Sequence, residues 1–179
     1  LVRVDRNAKK RFSLGYVNMS SKQMYQEVIL DHCKKPRNWG QLSNATHKAE
    51  GINPLCGDHI WVSMNVIDEK ISDIQYEGES CAICMASGSM MTAKVKGKAC
   101  SEAIDLTEQF RVLTTEEESK VEPSGLGSLA VFSGIRDLPS RVKGALLPWH
   151  TLISAINSQS EISTEGDKDP VPGSGTKKG

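Results

Sequence analysis

Two runs of alternating polarity, joined by a short polar turn, constrain this chain more than any other feature. "HIWVSMNVID" places apolar residues at every second position, "ISDIQYEG" places Ile74 and Tyr76 on one face, and Asp68, Glu69 and Lys70 lie between the two runs. This pattern predicts two antiparallel strands with one packed face and one polar face. The residues predicted to share the packed face are Ile60, Val62, Met64, Val66, Ile74 and Tyr76.

Helical segments flank these strands. "SSKQMYQEVILDHCKKP" begins with a Ser20–Gln23 capping box and ends at Pro36, and "SCAICMASGSMMTAKVKG" follows the strands with Ser80 as the expected N-cap. "SEAIDLTEQFRVL", "LGSLAVFSGI" and "LPSRVKGALLPWHTLISAIN" are also helical in pattern, and Pro148 should kink or split the last helix. With "HKAEGIN" as a further strand, the prediction is an α/β (α+β) fold: a small antiparallel three-stranded sheet packed against helices.

The chain divides into one domain and two tails. We expect the domain at residues 19–157, with the native start at Met19 and residues 1–18 as an N-terminal extension, added by cloning or loosely attached. Residues 158–179 are rich in Gly, Pro, Ser and charge, which predicts a disordered tail.

Charge and cysteine content narrow the function classes. The formal net charge is +0, which argues against nucleic-acid and membrane-surface binding, and no apolar run is long enough for a membrane span. The five cysteines, in a chain with no recognisable export signal, favour cytosolic thiols over a disulfide framework, and therefore a cytoplasmic protein.

"NPLCGD" places Cys56 and Asp58 on a tight turn around Gly57. Alone, this tripeptide is typical of ordinary turn chemistry. Cys81 strengthens a functional interpretation, because a helix N-terminus favours a thiolate and the meander returns the chain to the same edge of the sheet. Cys56, Asp58 and Cys81 then form a possible three-ligand zinc site with an open position.

The other cysteines and the histidines are weaker candidates. Cys81 and Cys84 form a C-x-x-C motif, but a thioredoxin-like dithiol would require a βαβ setting, so Cys84 is interpreted as a packed helix residue. Strand alternation should turn His59 away from Asp58. The residues that we expect to be packing or surface groups are Cys33, Cys100, His32, His47 and His150.

Four segments together give the chain a family resemblance: "MYQEVILDHCKKPRN", "NPLCGD", "GESCAICMASGSMM" and "LPSRVKGALLPWHTL". They resemble the IscU/NifU N-terminal family of iron–sulfur cluster assembly proteins over about residues 19–157. A long segment at about 98–137 is similar to the insertion of the SufU branch.

The resemblance implies a site made by three cysteines and one aspartate. It maps Cys56, Asp58 and Cys81 onto that site, with zinc in SufU-like members or a transient iron–sulfur cluster in IscU-like members. It also implies that Cys56 accepts persulfide sulfur from a cysteine desulfurase, for delivery to a downstream scaffold or apo-proteins.

One position departs from the family pattern. The third ligand cysteine is replaced by Gly144 in "RVKGALLPWH", and glycine inside a helix costs about 1 kcal/mol relative to alanine. Three interpretations remain: an exogenous ligand completes the site, Cys84 substitutes for the missing cysteine, or the site is empty.

The leading hypothesis is a zinc-dependent sulfur acceptor or scaffold, whether or not it counts as an enzyme. The alternative is a metal-poor, catalytically silent module that binds or regulates a desulfurase. A thiol redox protein that uses Cys81 and Cys84 is a third possibility.

Overall fold

The computed structural model describes residues 21–116, 125–158 and 161–163. The elements are α1 (Ser21–Lys34), β1 (His47–Asn53), β2 (Asp58–Ile67), β3 (Lys70–Glu79), α2 (Ala82–Val95), α3 (Cys100–Thr115), a 3-10 helix η1 (Gly127–Ile135), α4 (Pro139–Ile156) and β4 (Glu161–Ser163). The predicted cap at Ser20, the N-terminal extension and most of the C-terminal tail lie outside the described residues. No helix in the described ranges is both long and apolar enough to cross a membrane.

The predicted antiparallel meander is confirmed. β1 pairs with β2 and β2 pairs with β3, both antiparallel. Asp68 and Glu69 both have positive φ values, 49° and 60°, which is the backbone of a tight two-residue hairpin turn. The alternation breaks once, where a register shift between Asn65 and Val66 leaves Val66 half-buried. The packed face comprises Ile60, Val62, Met64, Ile71, Ile74 and Tyr76.

A short fourth strand extends this sheet. Residues 161–163 pair in parallel with β1, so the strand order is β3-β2-β1-β4. The prediction of disorder from residue 158 onward is therefore wrong for these three residues. Composition reports whether a segment can bury a core, whereas a strand at a sheet edge needs only backbone groups to pair with.

Helices α2 and α4 pack together beside the sheet. The Ser87 hydroxyl donates to the Ala145 carbonyl at 2.6 Å, and the Trp149 indole N–H donates to the Ser87 oxygen at 3.2 Å. α4 is one helix through Pro148, so the predicted split does not occur. Pro148 removes the hydrogen bond to the Gly144 carbonyl, while burial of residues 145–149 and 151–155 keeps both halves of the helix packed against the core.

The segment that resembles the SufU insertion contributes to the core. Phe110 on α3 stacks on Trp149 with ring centroids 4.8 Å apart, and it meets Phe132 of η1 edge-on at 5.2 Å. All three rings are fully buried. This aromatic cluster fixes one side of α4 while Ser87 fixes the other.

Candidate metal centre

Asp58 is a carboxylate held in place by two donors. It is the first residue of β2, lies opposite Asn53 in the β1 register and is 1% exposed. The Asn53 side-chain amide donates to Asp58 Oδ2 at 3.1 Å, and the Cys81 backbone N–H donates to Oδ1 at 2.6 Å. Two hydrogen bonds from separate elements fix the orientation of this carboxylate.

Cys81, rather than Ser80, is the N-cap of α2. Its Sγ accepts the backbone N–H of Cys84 at 3.5 Å, a bond that N-cap side chains commonly make. The expected cap at Ser80 is therefore one residue early. As a consequence the Cys81 side chain turns toward Asp58, and its Sγ lies 3.8 Å from Asp58 Oδ2.

The pKa of Cys81 shows that its position at the helix N-terminus does not by itself produce a thiolate. Burial raises this pKa above its ordinary value, and the Asp58 carboxylate adds to the rise. The Cys84 N–H opposes the rise but does not cancel it. In the metal-free chain, desolvation and a neighbouring acid therefore oppose the thiolate that a helix N-terminus favours.

Cys56 lies at the rim of the same site. It is exposed, and the following Gly57 has φ 69°, a conformation that glycine adopts without strain. The Cys56 thiol points to the Ser140 carbonyl at 3.9 Å. Ser140 is in the first turn of α4, so Cys56 lies at the end of the helix that carries Gly144.

Gly144 faces the Asp58–Cys81 pair directly. A Cβ built at Gly144 would lie 3.4 Å from Cys81 Sγ and 3.5 Å from Asp58 Oδ2. These are ordinary van der Waals distances, so the backbone at Gly144 leaves room for a side chain. The structure thus brings Asp58, Cys81 and position 144 together, and it places Cys56 close by.

The thiols of Cys56 and Cys81 and the carboxylate of Asp58 are groups that bind zinc, and their positions partly match the geometry of a zinc site. A tetrahedral zinc ion with one sulfur and one oxygen ligand requires an S–O separation of about 3.5 Å, and Cys81 and Asp58 are 3.8 Å apart. In the described part of the chain, however, no three His, Cys, Asp or Glu side chains are close enough as placed to hold a metal ion. Cys56 is therefore the ligand that would have to turn onto the preformed pair.

Cys84 is not exposed at all. Its side chain packs with Ile60 and Leu147, and Cys81 lies against this cluster. Burial raises the pKa of Cys84 well above its ordinary value, and the nearby Asp58 and Cys81 raise it further. Cys84 is thus the packed helix residue that the sequence predicts, although it lies directly behind Cys81.

Sequence reasoning missed the position of Cys33. Its thiol on α1 donates to the Ala82 carbonyl at 3.0 Å, so it meets the first turn of α2. Only the packing of α1 on α2 creates this contact, and no spacing in the sequence could have indicated it.

The histidines lie in other environments. His59 turns away from Asp58 as predicted: it pairs with Glu50 and stacks on Trp61, with ring centroids 4.1 Å apart. His32 is hydrogen-bonded to the Ser89 hydroxyl at 2.7 Å, and His47 to the Thr46 hydroxyl at 2.8 Å. His150 is half-buried on α4.

Comparison with known proteins finds one domain family and several similar relatives. The model of the NifU-like N terminal domain matches residues 24–145. The chain is 36% identical over 139 residues to a zinc-dependent sulfurtransferase SufU of Bacillus subtilis, covering 78% of this chain and 93% of the relative. It is 33% identical over 150 residues to an iron–sulfur cluster assembly scaffold protein IscU of Streptococcus pyogenes, covering 84% and 93%.

A solved structure gives the same result. A putative iron–sulfur cluster assembly scaffold protein for the SUF system from Fervidobacterium islandicum superposes with a TM-score of 0.69 at 33% identity. The alignment covers 76% of this chain and 99% of that one. The described sheet and helices are therefore the fold of these proteins.

Proposed function

This chain belongs to the NifU-like N-terminal domain family, and from that premise we propose that it serves iron–sulfur cluster assembly by accepting sulfur from a cysteine desulfurase on Cys56. The relatives support this reaction class, because they carry the names of a zinc-dependent sulfurtransferase and of cluster scaffolds. The free thiols of all five cysteines suit a cytoplasmic protein.

One observation carries the proposal: Asp58 and Cys81 converge while Cys56 stays exposed at the rim. A sulfur acceptor must be reached by a partner's persulfide, and Cys56 is the only site cysteine on an exposed turn. In the transfer, the Cys56 thiolate attacks the outer sulfur of the desulfurase persulfide. A new S–S bond forms on Cys56, the bond to the desulfurase cysteine breaks, and that cysteine leaves as a thiolate.

Cys56, Asp58 and Cys81 are the residues that would hold zinc. When bound, zinc would keep the thiols deprotonated, because metal ligation requires thiolates. The buried carboxylate of Asp58 fixes one ligand position through its bonds to Asn53 and Cys81. Gly144 supplies no donor, so the fourth position is open to water or to a group from a partner.

Gly144→Cys tests the metal assignment. We expect the zinc affinity of the purified chain, measured by competition with a chromogenic chelator, to rise roughly tenfold or more, since each 1.4 kcal/mol of added ligand binding is a factor of ten. Gly144→Ala is the matched control, because it gives the helix a Cβ at the same point without a thiol. An equal gain in both variants would show that position 144 does not face the metal.

A desulfurase assay tests the sulfur acceptor. With a purified cysteine desulfurase, L-cysteine and a thiol reductant, the chain should increase sulfide production, and Cys56→Ser should remove the increase. Cys100→Ser, at a buried position on α3, should leave it intact. Binding to the desulfurase without any stimulation would contradict the proposal and indicate a silent docking module instead.

A further inference from the structure

The C-x-x-C at the start of α2 joins two thiols of very different exposure. Cys81 is the N-cap and is half-buried, and Cys84 is the third residue of the helix and is 0% exposed. Residues three apart on a helix have Cα atoms about 5 Å apart, which lies within the range that a disulfide spans. The Cys84 N–H already bonds to Cys81 Sγ, so the backbone holds the pair in register.

The side chain of Cys84 leans toward Cys81. Side chains on a helix lean toward its N-terminus, and Cys84 packs in a cluster with Ile60 and Leu147 against which Cys81 lies. An external thiol or oxidant therefore cannot reach Cys84. The neighbouring sulfur of Cys81 is the partner that lies within its reach.

Gly144 leaves the α4 side of the half-buried Cys81 without a covering side chain. The Cβ position of Gly144 lies 3.4 Å from Cys81 Sγ, and no side chain projects there. Position 144 thus leaves the space of a side chain unfilled beside Cys81. A half-buried thiol with a second thiol beside it is an arrangement in which the second cysteine can resolve a sulfur adduct on the first.

We propose that Cys81 and Cys84 form a dithiol that reduces a persulfide on Cys81 and releases its sulfur as sulfide. In the metal-free chain, the Cys84 sulfur attacks Cys81 Sγ and loses its thiol proton as it does so. The bond between Cys81 Sγ and the outer sulfur breaks, and the outer sulfur leaves with the electron pair as HS⁻. The Cys81–Cys84 disulfide forms, the Cys84 proton passes to the departing HS⁻, and a dithiol reductant later restores both thiols through the more accessible Cys81.

This activity rests on the proposed function only for the arrival of sulfur at the site. In this reaction the thiols of Cys81 and Cys84 supply the two electrons that convert sulfane sulfur into sulfide. Cys84, which neither metal binding nor sulfur acceptance uses, is the resolving residue in this reaction.

Peptide masses test the proposal without a desulfurase. The metal-free chain is treated with glutathione persulfide, alkylated and digested with trypsin. Residues 71–94 form one tryptic peptide that contains Cys81 and Cys84 and no other cysteine, and residues 49–70 form one that contains Cys56 alone. We expect an unalkylated 71–94 peptide that is two hydrogens lighter, with one sulfide released for each disulfide formed.

Cys84→Ser should trap the intermediate. The 71–94 peptide should then keep one extra sulfur on Cys81, and sulfide release should fall roughly tenfold or more, because an intramolecular attack is lost. Cys84→Ala is the second variant if the serine hydroxyl disturbs the cluster. Cys33→Ser is the matched control: this thiol also contacts the first turn of α2, and its loss should change neither peptide.

The outcomes separate this proposal from the proposed function. A stable persulfide on Cys81 in the unchanged chain would overturn the dithiol, and so would a disulfide formed without an equivalent of sulfide. Sulfur on Cys56 with an unchanged 71–94 dithiol would also overturn it while leaving Cys56 as an acceptor. A Cys81–Cys84 disulfide with sulfide, and no sulfur ever found on Cys56, would support the dithiol and contradict the role of Cys56.

Discussion

The two sides of the site are built very differently. On the sheet side, Asp58 is buried and fixed by the Asn53 amide and the Cys81 N–H. On the α4 side, Gly144 offers no side chain, although its backbone lies against the same two residues. The sheet side provides a potential metal ligand held in position, whereas the α4 side provides only backbone.

This difference shows that the fold does not depend on a ligand at position 144. α4 is held by the Ser87–Ala145 hydrogen bond and by Trp149, which lies between Ser87 and Phe110. These contacts keep the helix beside Cys81 without help from a thiol. Packing positions the α4 side, and hydrogen bonds to a carboxylate position the sheet side.

Of the three stability predictions, we expect the largest effect from Trp149→Ala, which removes the packing that holds α4 in place. The side chain is fully buried, stacks on Phe110 and donates to Ser87, so its loss should lower the free energy of unfolding by about 3–5 kcal/mol. Urea unfolding followed by circular dichroism measures this. Trp39→Ala is the control, because Trp39 is 41% exposed and meets Tyr76 edge-on; it should cost less, about 1–2 kcal/mol. If both variants lost the same stability, packing around Trp149 would not be what holds α4 in place.

We expect a smaller loss of stability from Asp58→Ala, which removes the carboxylate on the sheet side of the site. It removes the carboxylate that accepts the buried Cys81 N–H and a bond from the Asn53 amide, which should lower the free energy of unfolding by about 1–3 kcal/mol. The same urea titration gives the value. Asp73→Ala removes a carboxylate from an exposed ion pair with Lys96 and should cost under about 1 kcal/mol. If both variants lose the same amount, Asp58 does not hold the sheet side together.

Gly144→Ala should have the smallest effect on stability, and it should stabilise the chain where the two preceding variants destabilise it. The added Cβ meets Cys81 and Asp58 at van der Waals distance, so better helix propensity should raise the free energy of unfolding by up to about 1 kcal/mol. Thermal unfolding detects this as a higher midpoint. Gly51→Ala should destabilise instead, because its Cβ would lie 2.0 Å from the Thr151 hydroxyl oxygen. Destabilisation by Gly144→Ala would mean that the α4 side has no room for a ligand.

Much of the fold could be predicted from local patterns. Alternation is a property of consecutive residues, and it predicted the meander and most of its packed face, but not the buried Ile71. The errors occurred where an environment decided between nearby choices. The cap moved from Ser80 to Cys81 because Asp58 accepts the Cys81 N–H, and residues 161–163 became a strand because β1 offered a free edge.

The sequence by itself determined the residue types at the site, the turn that exposes Cys56, the helix that begins beside Cys81 and the absence of a side chain at Gly144. Only the tertiary structure decided that Cys81 is protonated more readily than a free thiol, that Cys33 meets the start of α2, and that Cys84 is sealed behind Cys81. The physical reason is that pKa and access depend on burial and on neighbours distant in the chain. Such neighbours are fixed only when the helices pack on the sheet.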